Sequence, residues 1–326
     1  MDDDDDGGGI RDNESTAAYR ERISIAREAG HSNSNQPDQI ESSPHFRILT
    51  SLVNNPTSSV TVSLTTMLLL AARQLVGQRS ISPHLRTTFL SLLEAAQRTP
   101  PPRQAKLVRF VAVLYNAQVV DPMSGQSIVH LRRFAWPLVP GYEDDSVSSV
   151  WRSYSNIGHD IGPVTTLRWE RLAAFLAQLS IIDDIASDYM RTTLYDAQLP
   201  VDAFQQALDP IGPHATPPSV ALRIASIWVR YGSERLWHNL RNHRLVHWRR
   251  KTPERVIKLT PTDWETWIKG FTDAKSWVTD ETTLQMIDEA VVEMKRVMAS
   301  DDQDNTPKLT TSGKIAPESN AQSTTS

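Results

Sequence analysis

Three carboxylates lie close together in the stretch Ile-Ile-Asp-Asp-Ile-Ala-Ser-Asp-Tyr-Met. Asp183 and Asp184 are adjacent, and Asp188 follows about one helical turn later. Such an oxygen-rich set could chelate magnesium, a hard cation that prefers oxygen ligands. The same residues also suit a helix start, where a carboxylate complements the positive end of the helix dipole. Asp183, Asp184 and Asp188 are therefore the candidate metal ligands of a chain that is otherwise expected to hold no metal and no cofactor.

The second chemical feature is cationic. From Arg235 to Lys258 there are eight Arg and Lys against Glu254 alone, interleaved with Trp237, His238, His243, His247 and Trp248. Cations beside aromatic stacking faces are what nucleic acid or another polyanion requires, and Arg241, Arg244, Arg249, Arg250 and Lys251 are the candidate anion-binding residues. The competing reading is an ordinary solvated surface, where Arg and Lys stems cover apolar groups. His243 and His247, four apart, have the spacing of metal ligands on a helix, but His-Arg-Leu-Val-His lacks the glutamate of a zinc hydrolase motif.

Other chemistry is excluded by residue content. No cysteine occurs in the chain, so disulfides, thiolate metal sites, iron–sulfur clusters and cysteine nucleophiles are impossible. Neither a phosphate-binding glycine loop nor a Gly-x-Ser-x-Gly elbow is present. No catalytic set emerges.

The elements that would position these residues read as helices. Of the 326 residues, 39% are hydrophobic and 22% charged, enough for a soluble core. The net charge of −4 falls on one tail, because Asp2 to Asp6 supply five negative charges. Helices are predicted over Glu14 to Gly30, Thr57 to Val76, Ser82 to Arg98, Arg103 to Gln118, Thr165 to Leu179, Ile185 to Leu199, Ser219 to Leu240, Thr262 to Phe271 and Asp280 to Met298. Leu85, Phe89, Leu92, Leu93 and Ala96 recur every three or four residues, an apolar face that must pack on a neighbour. Ser82 is the expected N-cap of its helix, with Pro83 at the first helical position, and Ser219 is the expected cap of the long helix after Pro218.

The most apolar stretch, Val60 to Val76, is too short and too interrupted to span a membrane and reads as a buried helix. The consecutive helices around it suggest an antiparallel array. His31 to Pro44 reads as a loop, and Asp121 to Pro163 as an irregular segment whose Trp151 and Tyr154 pack across the helices. Trp264 and Trp267, three apart, read as one buried helix face. No segment alternates long enough to predict a strand. The expected fold is all-α, an irregular multi-helix array with long proline-rich loops: residues 1–13 an acidic, glycine-rich disordered tail, 14–300 a single helical domain, and 301–326 a Ser/Thr-rich disordered tail.

Two resemblances add to this reading. The aspartate-rich stretch resembles the first metal motif of class I terpene synthases, but their second motif is missing downstream. Three blocks, Leu167 to Ser180, Ala221 to Trp237, and Asp263 to Phe271 with Thr282 to Met298, resemble the filamentous-fungal domain-of-unknown-function 3632 family, over Trp151 to Met298. That resemblance implies a fungal, all-helical, intracellular protein, cytoplasmic or nuclear, and implies no reaction. The start of the chain lacks the basic and apolar pattern of a signal peptide, and no membrane association is expected. The expected function is a non-enzymatic scaffold or interaction protein holding a protein partner. The alternatives are an auxiliary protein or motif-less enzyme of fungal secondary metabolism, and a polyanion-binding protein using Arg235 to Lys258.

Overall fold

Prolines set where the helices begin. In a computed structural model of the chain, which describes residues 36–77, 81–120, 123, 125, 127–131, 151, 154, 161–182, 199–208, 218–243, 245–248 and 255–304, most helices start at or within two residues of a proline. The missing N–H and fixed φ of proline cost nothing in the first helical turn. Helices α1 (Gln36–Ser42), α2 (Pro44–Asn54), α3 (Val60–Gly77), α4 (Ser82–Arg98) and α5 (Ala105–Tyr115) form the first half. After a hairpin of β1 (Gln118–Val120) and β2 (Ser127–His130) come α6 (Pro163–Ser180), α7 (Leu199–Leu208) and α8 (Pro218–Arg241). A second hairpin, β3 (Leu245–Trp248) and β4 (Arg255–Lys258), precedes α9 (Pro261–Ala274) and α10 (Glu281–Asp304).

The all-α class is what the structure shows, with several local differences. Residues 31–44 were expected to be a loop, yet Gln36–Ser42 is helical and Glu41 is ion-paired with Arg98 of α4. That tertiary contact offsets the low helix propensity of a segment rich in Ser, Asn, Gln and Pro. In α4 the serine does not cap: Ile81 occupies the N-cap in αR geometry with no side-chain bond, and Ser82 is already helical. Ser219 likewise lies inside the first turn of α8, because that helix begins at Pro218. Leu199, expected to end a helix, opens α7, with Pro200 in its first turn. Two short antiparallel hairpins occur where no strand was predicted. Val119 pairs with Val129 and Val246 with Ile257, β-branched pairs in strands too short for an alternation to register. Helix α10 runs to Asp304, past the expected start of the tail at 301. The predicted helices at 14–30 and, apart from Leu199, 185–199 lie outside the described residues.

Packing is layered, and consecutive helices are not always neighbours. The expected side-by-side array is replaced by an interleaved one: α3 packs on α2, α5 and β1, whereas α4 packs on α2 and α6. Helix α6 then packs on α8, and α8 on α7 and α10. Residues Leu172 to Ala177 of α6 are completely buried, so this helix is the centre of the molecule. Around it Trp151 and Trp169 meet edge-on at 5.5 Å, Trp151 and Trp228 at 6.1 Å, and Tyr154 stacks on Trp169. Trp151 and Tyr154 thus pack across the helices as their composition implies. Trp264 and Trp267 are buried as expected, the latter stacked at 4.0 Å on Phe204 of α7. Helix α9 starts with a capping box, in which the Thr260 N–H donates to Asp263 Oδ2 at 2.7 Å.

A buried glutamine ties α4 to α6. Gln104, in the short turn after α4, is fully inaccessible; its Nε2 lies 2.8 to 3.0 Å from the carbonyls of Ala96, Thr99 and Arg171, and its Oε1 accepts from Gln178 Nε2. Gln104→Leu strands these carbonyls in the interior, and each buried unsatisfied group costs about 1–3 kcal/mol. The expected outcome is a loss of roughly 2–4 kcal/mol in the urea unfolding free energy with little change in m.

Candidate interaction surface

Helix α3 is rich in apolar residues and nearly uncharged, though Ser63, Thr65, Thr66, Arg73 and Gln74 interrupt it. Among Val60–Gly77 the only charged residue is Arg73, and a largely apolar helix belongs in a protein interior or against another surface. The structure buries only half of it. Ser63, Met67, Ala71 and Ala72 face α2, α5 and β1, while Val62 is 65% exposed and Leu69 45%. The expectation of a buried helix is corrected here, because its neighbours reach only one side. The open side carries Val62, Thr65, Thr66, Leu69 and Arg73 at helical spacing, with Thr66 Oγ1 turned back onto the Val62 carbonyl at 2.9 Å. The adjacent hairpin adds half-exposed Val120 and Met123, which is 95% exposed.

Of the aspartate and anion-binding candidates, only Arg241 lies among the described residues. Asp183, Asp184 and Asp188 lie outside the described residues, as do Arg244, Arg249, Arg250 and Lys251. Arg241 ends α8 at an exposed position. Arg235, at the start of the basic run, donates Nε–H to the Ser180 carbonyl at 3.1 Å and so serves the α6–α8 seam. His243 and His247 do not share a helical face: His243 follows α8 with a positive φ of 49°, and His247 pairs with Val256 in the second hairpin. Among the described residues, no group of three or more His, Asp or Glu could share a metal ion. A cleft of about 240 Å³ between α1 and α2, lined by Glu41, Phe46, Arg47, Thr50, Ser51 and Asn54, is smaller than sites that enclose drug-sized ligands.

Two buried polar groups went unnoticed in the sequence. In the first, Arg168 of α6 donates Nη2–H to Glu94 Oε2 of α4 at 2.6 Å and Nε–H to Gln97 Oε1 at 3.2 Å, and the Tyr154 hydroxyl also bonds Gln97. Burial pushes the Glu94 pKa up, but the Arg168 and Arg98 guanidiniums outweigh it and hold the carboxyl below its usual range. For Arg168, burial favours the neutral form and Glu94 more than offsets it, so the guanidinium stays charged. The pair is therefore an ion pair that joins two helices.

The second group comes from a tripeptide that occurs twice. Ser-Pro-His opens α2 at Ser43–His45 and α4 at Ser82–His84, and the two helix starts meet. His45 Nε2 lies 3.0 Å from His84 Nδ1, with the rings edge-on at 4.6 Å. Ser43 Oγ caps α2 by accepting from the Phe46 N–H and also touches Ser91 Oγ of α4. Burial lowers the His45 pKa to about 4; burial, and then the neighbouring His45, lowers that of His84 to about 3. Both rings are neutral near pH 7, one donating to the other. The repeated Ser-Pro-His was the available signal.

The family model for proteins of unknown function (DUF3632) matches residues 89–273. The chain belongs to that family. The matched segment opens inside α4 and closes in the last turn of α9. It thus starts earlier than the expected Trp151 and ends before the final helix. As a DUF3632 protein, the chain carries the buried Glu94–Arg168 pair, the Trp151 cluster and Trp264–Trp267 within the family segment, while α3 and α10 flank it. No curated protein and no solved structure matches the chain.

The histidine pair has a signed consequence for stability. Both rings bind protons near pH 6.5 when unfolded and only near 4 and 3 when folded, so their contribution is whole above pH 6.5 and is lost as the pH falls below it. Lowering the pH from 7 to 4 is expected to cost on the order of 3 kcal/mol for a single such ring. Urea midpoints across that range check this, and the His45→Leu/His84→Leu double variant is expected to lose that part of the slope.

Proposed function

We propose that this protein is a non-enzymatic helical interaction protein that holds a protein partner on the solvent face of α3. The carrying observation is that its most apolar segment, with a single charge in eighteen residues, leaves Val62 and Leu69 open to water. Contiguous exposed apolar surface is a feature of contact sites. No helix among the described residues is long and apolar enough to cross a membrane, so an integral span does not account for α3. The interior supports the same reading. Glu94 is engaged by Arg168, Glu170 by Arg223 and His45 by His84, and buried Asp202 accepts from Trp151 and Gln206, which suits a rigid support rather than a reaction site.

A protein partner fits α3 better than a polyanion does, because its open face offers two aliphatic side chains and two threonines for one guanidinium. Leu69→Asp places a charge in that face at an already exposed position, so the folding free energy is expected to change by no more than about 1 kcal/mol. Immobilised wild-type protein is expected to retain a protein from extracts of its native host that the Leu69→Asp variant does not. Equal retention by both would place the partner elsewhere, and retention of nucleic acid alone by both would favour the basic run.

A further inference from the structure

The charge of this chain is divided along the fold. From Gln36 to Tyr115, α1 through α5, there are eight Lys and Arg against three Asp and Glu, a surplus of five positive charges. From Pro261 to Asp304, α9 and α10, there are four against eleven, a surplus of seven negative charges. Packing leads from one end to the other through α5, α6 and α8. On the basic end, Arg47 of α2, Arg73 of α3 and Arg109 of α5 are exposed and make no ion pair among the described residues. On the acidic end, Glu265 of α9 and Glu281 of α10 are exposed and likewise make no ion pair among the described residues.

The acidic end also has an apolar face. Along α10 the exposed line Glu281, Gln285, Asp288, Val292 and Lys295 is flanked by half-buried Leu284, Val291 and Met298, and Val292 is 68% exposed. Lys295 is the cation on that line. Asp288 and Glu289 are engaged by Lys275 and Arg230 at 2.6 and 3.0 Å, so they reach outward as partly compensated anions. Helix α3 therefore presents aliphatic side chains in a cationic setting, and α10 presents aliphatic side chains in an anionic one. The remaining charged side of α10 is committed inward: Arg296 is held by Glu293 and Glu234, and Ser233 donates to Glu293 at 2.7 Å.

We infer that the partner of the α3 face is the α10 face of a second copy of this chain, giving head-to-tail self-association. This rests on the reading of α3 as a docking face and names its occupant. Both faces belong to one packed body, so a single chain cannot bring them together. A two-fold contact of either face with itself would set α3 against α3 or α10 against α10, like charge on like charge, whereas an α3–α10 contact matches opposite charges and, made once between two copies, leaves one face of each kind free. Each added copy then offers a new α3 and a new α10. The result is a chain or ring of copies whose growth weakens with salt, since the charges that select the pairing sit at the surface.

Sedimentation velocity on the full chain tests this. At about 50 mM salt the weight-average mass of wild-type protein is expected to double or more as concentration is raised, passing beyond the dimer, and to return to one chain at about 500 mM. Leu69→Asp keeps an intact α10 face and Val292→Asp an intact α3 face, so each alone is expected to be monomeric, whereas their mixture forms a 1:1 dimer and nothing larger. Two misfolded variants could not produce that dimer. A wild-type protein that stays monomeric at low salt overturns the inference, as does a dimer that Val292→Asp leaves intact. If the wild type is monomeric while Leu69→Asp still abolishes retention of a host protein, self-association fails and the docking role of α3 survives.

Discussion

A helical stretch with protein on every side must find its polar partners inside the molecule, and the second half of α6 is such a stretch. Its apolar residues from Leu172 to Ala177 are inaccessible, and several polar groups on either side of them fix a neighbour. Arg168 requires Glu94 and Gln97 of α4, Gln178 requires Gln104, Glu170 requires Arg223 of α8, and the Ser180 carbonyl takes the Nε–H of Arg235. Removing one partner from a buried ion pair leaves an uncompensated charge at a cost of about 3–5 kcal/mol. The register of α4 on one side and α8 on the other is thereby held by specific bonds, while Trp151, Trp169 and Trp228 in the same layer bury large rings. Every outer helix is placed through these two.

This explains which parts of the fold can be read along the chain. Helices α4, α6, α8, α9 and α10 follow from local signals: apolar residues every three or four positions, proline near the start, and the Thr260–Asp263 box. The missed elements depend on contacts distant in sequence. Helix α1 is stabilised by the Glu41–Arg98 pair across fifty-seven residues, and the hairpins are two strands of three or four residues that no periodicity can reveal. The Arg168–Glu94 pair spans seventy-four residues, and neither residue has a pattern of its own. Only the paired histidines left a readable trace, in the duplicated Ser-Pro-His.

Function was less legible, for a related reason. The residues whose types promised chemistry, the aspartates at 183, 184 and 188 and the arginines at 244, 249 and 250, lie outside the described residues. The feature that does distinguish the surface, an apolar helix with one open side, was read as core, because composition does not say how many neighbours a helix will have. Val62 and Leu69 differ from Met67 and Ala71 only in which side of α3 they occupy. Burial is assigned by the fold, and the fold here supplies too few neighbours.

The most direct measurement is photo-crosslinking in living cells with a benzophenone amino acid at position 69 or, as a control on the same helix, at buried position 67. The account predicts an adduct heavier than the chain at position 69, with crosslinked peptides from residues 281–298 of a second copy, and none at position 67. Absence of any adduct at 69 while other surface positions crosslink would contradict the claim that the open face of α3 is an interface.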